Sequence, residues 1–224
     1  MKIHIISLFP EMFETVLNTS MMWKAQDKKL VEFHLVNLRD FGLGTRKTVD
    51  DTPYGGGAGM VLKCEPVFAA IESIKKSDSS AKVLMMTPRG KQYSQLAAKD
   101  LSHEKSIILL CGHYEGFDER ILSIVDQEIS MGDFVLTGGE IPAMAVVDSV
   151  VRLIPGVLGD KMSNVDESFS MGMLEYPQYT RPEEYNDMKV PEELKNGNHA
   201  EIAQWRKAQA LKKTQESRPD LIDF

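Results

Sequence analysis

The sequence predicts an α/β domain built on a largely parallel sheet. Three observations carry this. Apolar runs of strand length alternate with helix-like stretches through residues 3–153, the order of elements that builds parallel sheets. Two of the runs, KVLMMT (82–87) and SIILLC (106–111), are almost wholly apolar, as strands covered on both faces are. Glycine-bearing loops follow these runs, and ligands of parallel sheets bind at the carboxyl ends of strands.

Taken in order, IHIISLF (3–9) reads as the first strand, and Pro10 opens a helical stretch with Met12, Val16, Met22 and Trp23 as core positions. VEFHLVNL (31–38) alternates as a second strand, and a long polar, glycine-rich loop occupies 39–60. Pro66 stands in the first turn of a helix running into FAAIESI. Between the two buried strands, QLAAKDL reads as helix. FVL (134–136) is expected to be a short strand, with a helix from about Glu140 to Ile154. After Pro155-Gly156 the pattern changes. Residues 160–176 are small, polar and weakly periodic, a linker. A last helix follows Gly197, capped by Asn198 with Glu201 three residues on. Its expected inner positions are Ile202, Trp205, Ala208 and Leu211. Spacing of i+3 drifts about 60° per step around a helix. Arg206, Lys207, Lys212 and Lys213 give this segment a basic face, solvated or set against a phosphate backbone.

Composition narrows the function. The 224 residues are 42% hydrophobic and 26% charged, which excludes disordered and collagen-like chains. No run approaches the ~18 apolar residues of a membrane span, because Asp148 and Arg152 interrupt the longest candidate. The N-terminus reads as a strand, not a signal peptide, since Pro10, Glu11 and Glu14 follow its short apolar run. Cys64 and Cys111 have no metal-ligand spacing and suit a reducing cytoplasm. With a formal charge of −7, any RNA must be recognised by local patches and a shaped pocket.

Three loops stand out: TPRG (87–90), CGHYEG (111–116) and MGDFVLTGG (131–139). At adjacent strand ends they would form one pocket, with backbone donors for an adenine and apolar walls from Leu136 and Ile141. DDTPYGGGAGM (50–60) is glycine-rich but is followed by no Gly-Lys-Ser/Thr, so it is no phosphate loop and reads as a turn. The five histidines, His113 among them, show no ligand spacing and receive no metal role. Glu115, Asp118, Glu119 and Arg120 read as a helix N-terminal cluster, and Asp166 and Glu167 as solvated acids.

YGGGAGM (54–60), CGHYEGFDER (111–120), MGDFVLTGGEIPAMAVVDSVVRLIPGVLG (131–159), YPQYTRP (176–182) and GNHAEIAQWR (197–206) together resemble the bacterial TrmD family, tRNA (guanine-N1)-methyltransferases of the SPOUT superfamily. The resemblance spans essentially the whole chain. It implies methylation of the guanine immediately 3′ of the anticodon, at tRNA position 37, in support of reading-frame maintenance. It implies a SPOUT-type sheet with a deep trefoil knot around S-adenosylmethionine, a cytoplasmic homodimer with active sites at the subunit interface, and a helical domain for the tRNA anticodon stem-loop. Residues 1–159 would be the cofactor-binding catalytic domain, 160–176 a linker carrying the catalytic carboxylate, and 177–224 the tRNA-binding domain. The cofactor would lie against Met86, Thr87 and Pro88 in the first loop, and Gly112, Tyr114 and Glu115 in the second. In the third it would meet Ser130, Met131, Gly132, Asp133, Phe134, Val135, Leu136, Gly138 and Gly139, with Pro142 just beyond.

The chemistry suits the residue types. Guanine N1 carries a proton at neutral pH and must lose it to become nucleophilic, a task for a carboxylate base. Negative charge then moves onto O6, where a guanidinium stabilises it, and Arg152 matches the family's arginine in this role. Relatives carry Asp-Ser-Phe where this chain has Glu167-Ser168-Phe169, preceded by Asp166. Ungapped counting from Arg152 makes Glu167 the base, and a shift of one makes it Asp166. No permanently bound metal is expected. Magnesium is implied as a requirement, with Glu115 and Glu167 as contacts. The alternatives are a related knotted methyltransferase with another RNA target, or an RNA-binding homologue impaired in catalysis.

Overall fold

The computed structural model describes residues 1–159, 167–170 and 172–222. They fall into two compact units, Met1–Gly159 and Asp160–Phe224. In the first unit, β1 (Lys2–Ser7) leads through a 3₁₀ turn at Pro10–Phe13 into α1 (Glu14–Leu17) and α2 (Ser20–Asp27), then β2 (Glu32–Asn37). A two-stranded antiparallel ladder, β3 (Asp50–Asp51) with β4 (Val61–Leu62), precedes α3 (Cys64–Ser77). Then come β5 (Lys82–Gln92), α4 (Gln95–Ser102), β6 (Ser106–Cys111), a 3₁₀ turn at Glu119–Ile124, β7 (Gln127–Ser130) and α5 (Glu140–Val151). The main sheet is five-stranded, in the order β2-β1-β6-β5-β7, with every pairing parallel.

Why these runs form a two-faced sheet is visible in their period of two. Ile3, Ile5, Leu84, Met86, Ile107, Leu109 and Cys111 face one core with α2, α4 and α5. Ile6, Val83, Met85, Ile108 and Leu110 face the other, against α3. All six residues of β6 are buried, as a central parallel strand requires.

The structure corrects several expectations. FVL (134–136) is not a strand; Phe134 and Val135 are exposed, and the strand of this region is β7, a short edge strand. β5 runs on to Gln92, with its pairing to β7 interrupted between Met86 and Lys91, so TPRG bulges out of a continuing strand. Met12 and Trp23 are exposed rather than core, whereas Met22 is buried. Ile141 on α5 is exposed, while Val147 and Val151 of the same helix are buried in the core.

The second unit holds a small hairpin of β8 (Glu184–Tyr185) and β9 (Met188–Lys189), a 3₁₀ turn at Glu192–Leu194, and α6 (His199–Ser217). Asn198 caps α6, its side-chain oxygen accepting from the Ala200 and Glu201 amides (3.2 and 3.4 Å). The reciprocal half of the capping box is absent, because the Glu201 carboxylate accepts from Asn196 Nδ2 at 2.6 Å. The buried positions of α6 are Ala210 and Thr214, and Leu211 is exposed. The i+4 step wins because it stays on one face where i+3 drifts. Among the described residues no helix is long and apolar enough to cross a membrane.

Candidate active site

The bulge of β5 and the carboxyl ends of β6 and β7 open into a cavity of about 330 Å³, within the range of roughly 300–1,000 Å³ usual for small-molecule sites. Each of the three expected loops contributes. Met86, Thr87 and Pro88 come from the β5 bulge; Gly112, Tyr114 and Glu115 follow β6; Ser130 ends β7, and Met131, Gly132, Phe134, Val135, Leu136, Gly138 and Gly139 follow it, with Pro142 from α5. Asp133, expected among them, does not line the cavity, nor does Ile141. Arg89, His113, Gly116 and Thr137 line it from within the three loops without having been named as cofactor contacts, and Phe117 and Ile129 line it from outside them. Tyr114, Phe134, Val135 and Leu136 expose apolar surface here, a lip suited to a flat heterocycle.

Glycine holds this site together in a way the sequence does not announce. A Cβ on Gly139 would stand 2.8 Å from both Cys111 Cα and Gly112 N, and the Gly139 amide donates to Gly112 O at 2.8 Å. The third loop is thus laced directly against the second. A Cβ on Gly112 would stand 2.6 Å from Phe117 Cε2. These glycines bring chain against chain, and the cavity is what remains between the loops.

A buried polar network fixes the same junction. Glu140, the first residue of α5, is 2% exposed. Its Oε1 accepts from Ser7 Oγ at 2.6 Å, and its Oε2 pairs with His113 Nε2 at 2.8 Å. Ser7 Oγ in turn accepts from the Phe9 amide at 2.8 Å, and the His113 ring meets Phe9 edge-on at 4.9 Å. The carboxylate also lies at the favourable end of the helix dipole. Its partners come from the end of β1 and the loop after β6, so one carboxylate ties them to α5. Gly138 leaves the room: its Cβ would collide with His113 Nε2 and Glu140 Oε2.

The glycine-rich segment 50–60 proves to be the closed end of the β3–β4 ladder, and it docks on the second loop. Met60 O accepts from the Glu115 amide (2.9 Å), and the Leu62 amide donates to Gly116 O (2.9 Å). Gly59, at φ +81°, lies where any Cβ would run into the Glu115 side chain. Asp118 caps the 3₁₀ turn at Glu119–Ile124, and the Arg120 guanidinium forks onto it at 2.8 and 2.7 Å. That bond holds the Asp118 carboxyl far below the usual carboxylate range, so Asp118 is no base at neutral pH. Burial pushes the Cys111 thiol well up, with the Glu140 charge adding to it, which keeps it an inert apolar residue.

The expected catalytic residues are placed as follows. Arg152 follows the last turn of α5, its amide donating to Asp148 O at 3.2 Å. It does not line the cavity. At 1.5 Å per residue, α5 carries it about 18 Å from the glycine turn. Glu167 belongs to the second unit, where its carbonyl accepts from the Ser170 amide at 3.1 Å. Asp166 lies outside the described residues. Among the described residues no group of three or more His, Cys, Asp or Glu side chains is arranged to hold a metal ion.

The family model described as tRNA (Guanine-1)-methyltransferase TrmD matches residues 1–224. A curated relative from Bacillus pumilus, called tRNA (guanine-N(1)-)-methyltransferase, is 53% identical over 225 residues, covering 100% of this chain and 92% of its own. Relatives of the same name from Staphylococcus epidermidis and Bacillus subtilis are 55% and 52% identical, each over 224 residues; the match covers 100% and 99% of this chain and 91% and 92% of theirs. With a five-stranded parallel sheet, a cavity at its carboxyl edge and this likeness along its whole length, the chain belongs to the TrmD family of tRNA (guanine-1)-methyltransferases.

Proposed function

We propose that the protein transfers a methyl group from S-adenosylmethionine to N1 of the guanine at tRNA position 37, next to the anticodon. The observation that carries this reading is the cavity between the β5 bulge and the ends of β6 and β7, in a chain that matches the family from end to end. When bound there, S-adenosylmethionine supplies a methyl group on a sulfonium, an activated leaving group. Its size suits the cavity, and the exposed rings and aliphatic groups of Tyr114, Phe134 and Leu136 suit an adenine. The deep trefoil knot belongs to the same reading. The close lacing of Gly139 on Cys111 and Gly112 supports it, although chains ordinarily avoid threading.

The chain's own residues then have distinct tasks. Glu167 takes the N1 proton of guanine as general base. Arg152 stabilises the negative charge that develops on O6. A guanine to be modified in this way must be splayed out of the anticodon loop. The basic residues Arg206 and Lys207 of α6 would meet phosphates, and Lys212 and Lys213 extend that patch. Magnesium binds through one or two carboxylates and keeps several waters, and the exposed Glu115 carboxylate at the cavity rim suits it. The active unit is a cytoplasmic homodimer. The distance of Arg152 from the cavity along α5 supports this, since a second chain can bring an arginine where the first cannot.

Incubation with labelled S-adenosylmethionine and unmodified tRNA, followed by nucleoside mapping, tests the reading. Label in N1-methylguanine at position 37 is the expected result. Label at another nucleotide, or binding without turnover, overturns it.

A further inference from the structure

The turn that carries Glu167 is closed on itself. The Ser170 amide donates to Glu167 O (3.1 Å), the Phe169 amide to Met173 O (2.7 Å), and the Glu175 amide to Ser168 Oγ (3.1 Å). Phe169 sits at φ +72°, a left-handed conformation that is an outlier for a bulky side chain. Such a residue persists where its surroundings over-determine it.

Two of those surroundings belong to α6. Thr214 is fully buried, at 0% exposure, and with Ala210 it makes up the buried positions of α6. Its Oγ1 donates to Ala210 O at 2.7 Å and accepts from the Leu174 amide at 2.9 Å. Back-bonding of a threonine inside a helix slightly destabilises it, so the hydroxyl is better explained by the Leu174 amide than by the helix. Arg218, just past the end of α6, places its guanidinium 5.8 Å from the centroid of the Phe169 ring, within reach of a cation–π contact. A fork onto Asp220 at 2.8 and 2.7 Å fixes that guanidinium in turn.

We propose that Thr214 and Arg218 are positioning residues for Glu167: the C-terminal end of α6 holds the segment through the Leu174 amide and the Phe169 ring and so sets where the carboxylate stands. The inference rests on the reading of Glu167 as general base, and it gives α6 a second role. The helix whose basic residues face the tRNA also fixes the group that deprotonates its guanine. RNA docking and placement of the base become one event.

The test is single-turnover methyl transfer at saturating tRNA and S-adenosylmethionine. Melting temperature and the affinities for both substrates are measured beside it. Thr214→Val keeps the shape and removes the acceptor, and is expected to slow transfer about tenfold, with cofactor affinity unchanged. Thr214→Ser keeps the acceptor and is expected to recover most of that loss. Arg218→Met is expected to cost about two- to fivefold. In a Glu167→Gln background Thr214→Val should cost nothing further, because residues acting as one unit are not additive. A wild-type rate for Thr214→Val beside a slow Glu167→Gln overturns the positioning role alone. So does a loss that Ser does not recover, or one that adds fully to Glu167→Gln. A wild-type rate for Glu167→Gln overturns the base assignment itself, and this inference with it.

Discussion

Replacing Glu140 by Ala removes a carboxylate that joins β1, the loop after β6 and α5. Both of its hydrogen bonds are short, 2.6 Å from Ser7 and 2.8 Å to His113, and neither Glu140 nor Ser7 has appreciable access to water. Hydrogen bonds to charged groups contribute about 1.5–3 kcal/mol each, and removing one member of a buried pair costs roughly 3–5 kcal/mol because its partner is left unsatisfied. Glu140→Ala is therefore expected to lose about 3–5 kcal/mol. At roughly 2–4 °C per kcal/mol for a chain of this size, the melting temperature should fall by about 6–20 °C. Glu140→Gln keeps the shape and can still accept from Ser7, so a loss nearer 1 kcal/mol is expected. Urea unfolding at neutral pH measures both. A loss below about 0.5 kcal/mol for Glu140→Ala, or equal losses for Ala and Gln, would refute the clamp.

Gly139→Val is expected to lower the melting temperature even without cofactor, since its Cβ would strike the backbone of Cys111 and Gly112 at an overpacking cost of about 1–3 kcal/mol; an unchanged melt would show that the lacing can give. Burial lowers the His4 pKa from its ordinary value, with Asp78 opposing and His34 and Lys2 assisting. The unfolded chain therefore takes up this proton first, and stability present above about pH 6.5 is lost as pH falls toward the folded value. His4→Gln should flatten stability between pH 7 and 5, and an unaltered profile would contradict this. Glu167→Gln should slow single-turnover transfer by about 10²–10⁴-fold and Asp166→Asn far less; the reverse ranking would make Asp166 the base. Light scattering at assay concentration should find a dimer, and an active monomer would dismiss the two-chain site.

Much of this was legible in the sequence where burial and local chemistry agree. SIILLC reads as a central strand because every residue of it is buried, and it is one. Asn198 reads as a cap and accepts two amides. Legibility failed where an apolar run lines a cavity instead of a core. FVL (134–136) looks like a strand, yet it forms the exposed lip of the cavity. QEIS (127–130) looks unlike a strand because it lies at the sheet edge, where half its residues keep contact with solvent. The partners of Glu140, Ser7 and His113, lie 133 and 27 residues away, so no local pattern could separate a buried clamp from a helix-dipole acid.

The glycines make the sharper case. From the sequence alone, Gly112, Gly138 and Gly139 signal room for a ligand, and the loops that bear them do line the cavity. Yet the space each missing Cβ leaves is already filled: by Phe117 at Gly112, by His113 and Glu140 at Gly138, and by the Cys111–Gly112 backbone at Gly139. Glycine is needed here so that the loops can close on one another. A ligand would meet the outer surface of that closure, on the apolar lip of Phe134 to Leu136. A glycine cluster after a buried strand therefore predicts where a site lies through what it does to the fold. Substituting such a glycine should disturb the empty protein before it disturbs binding.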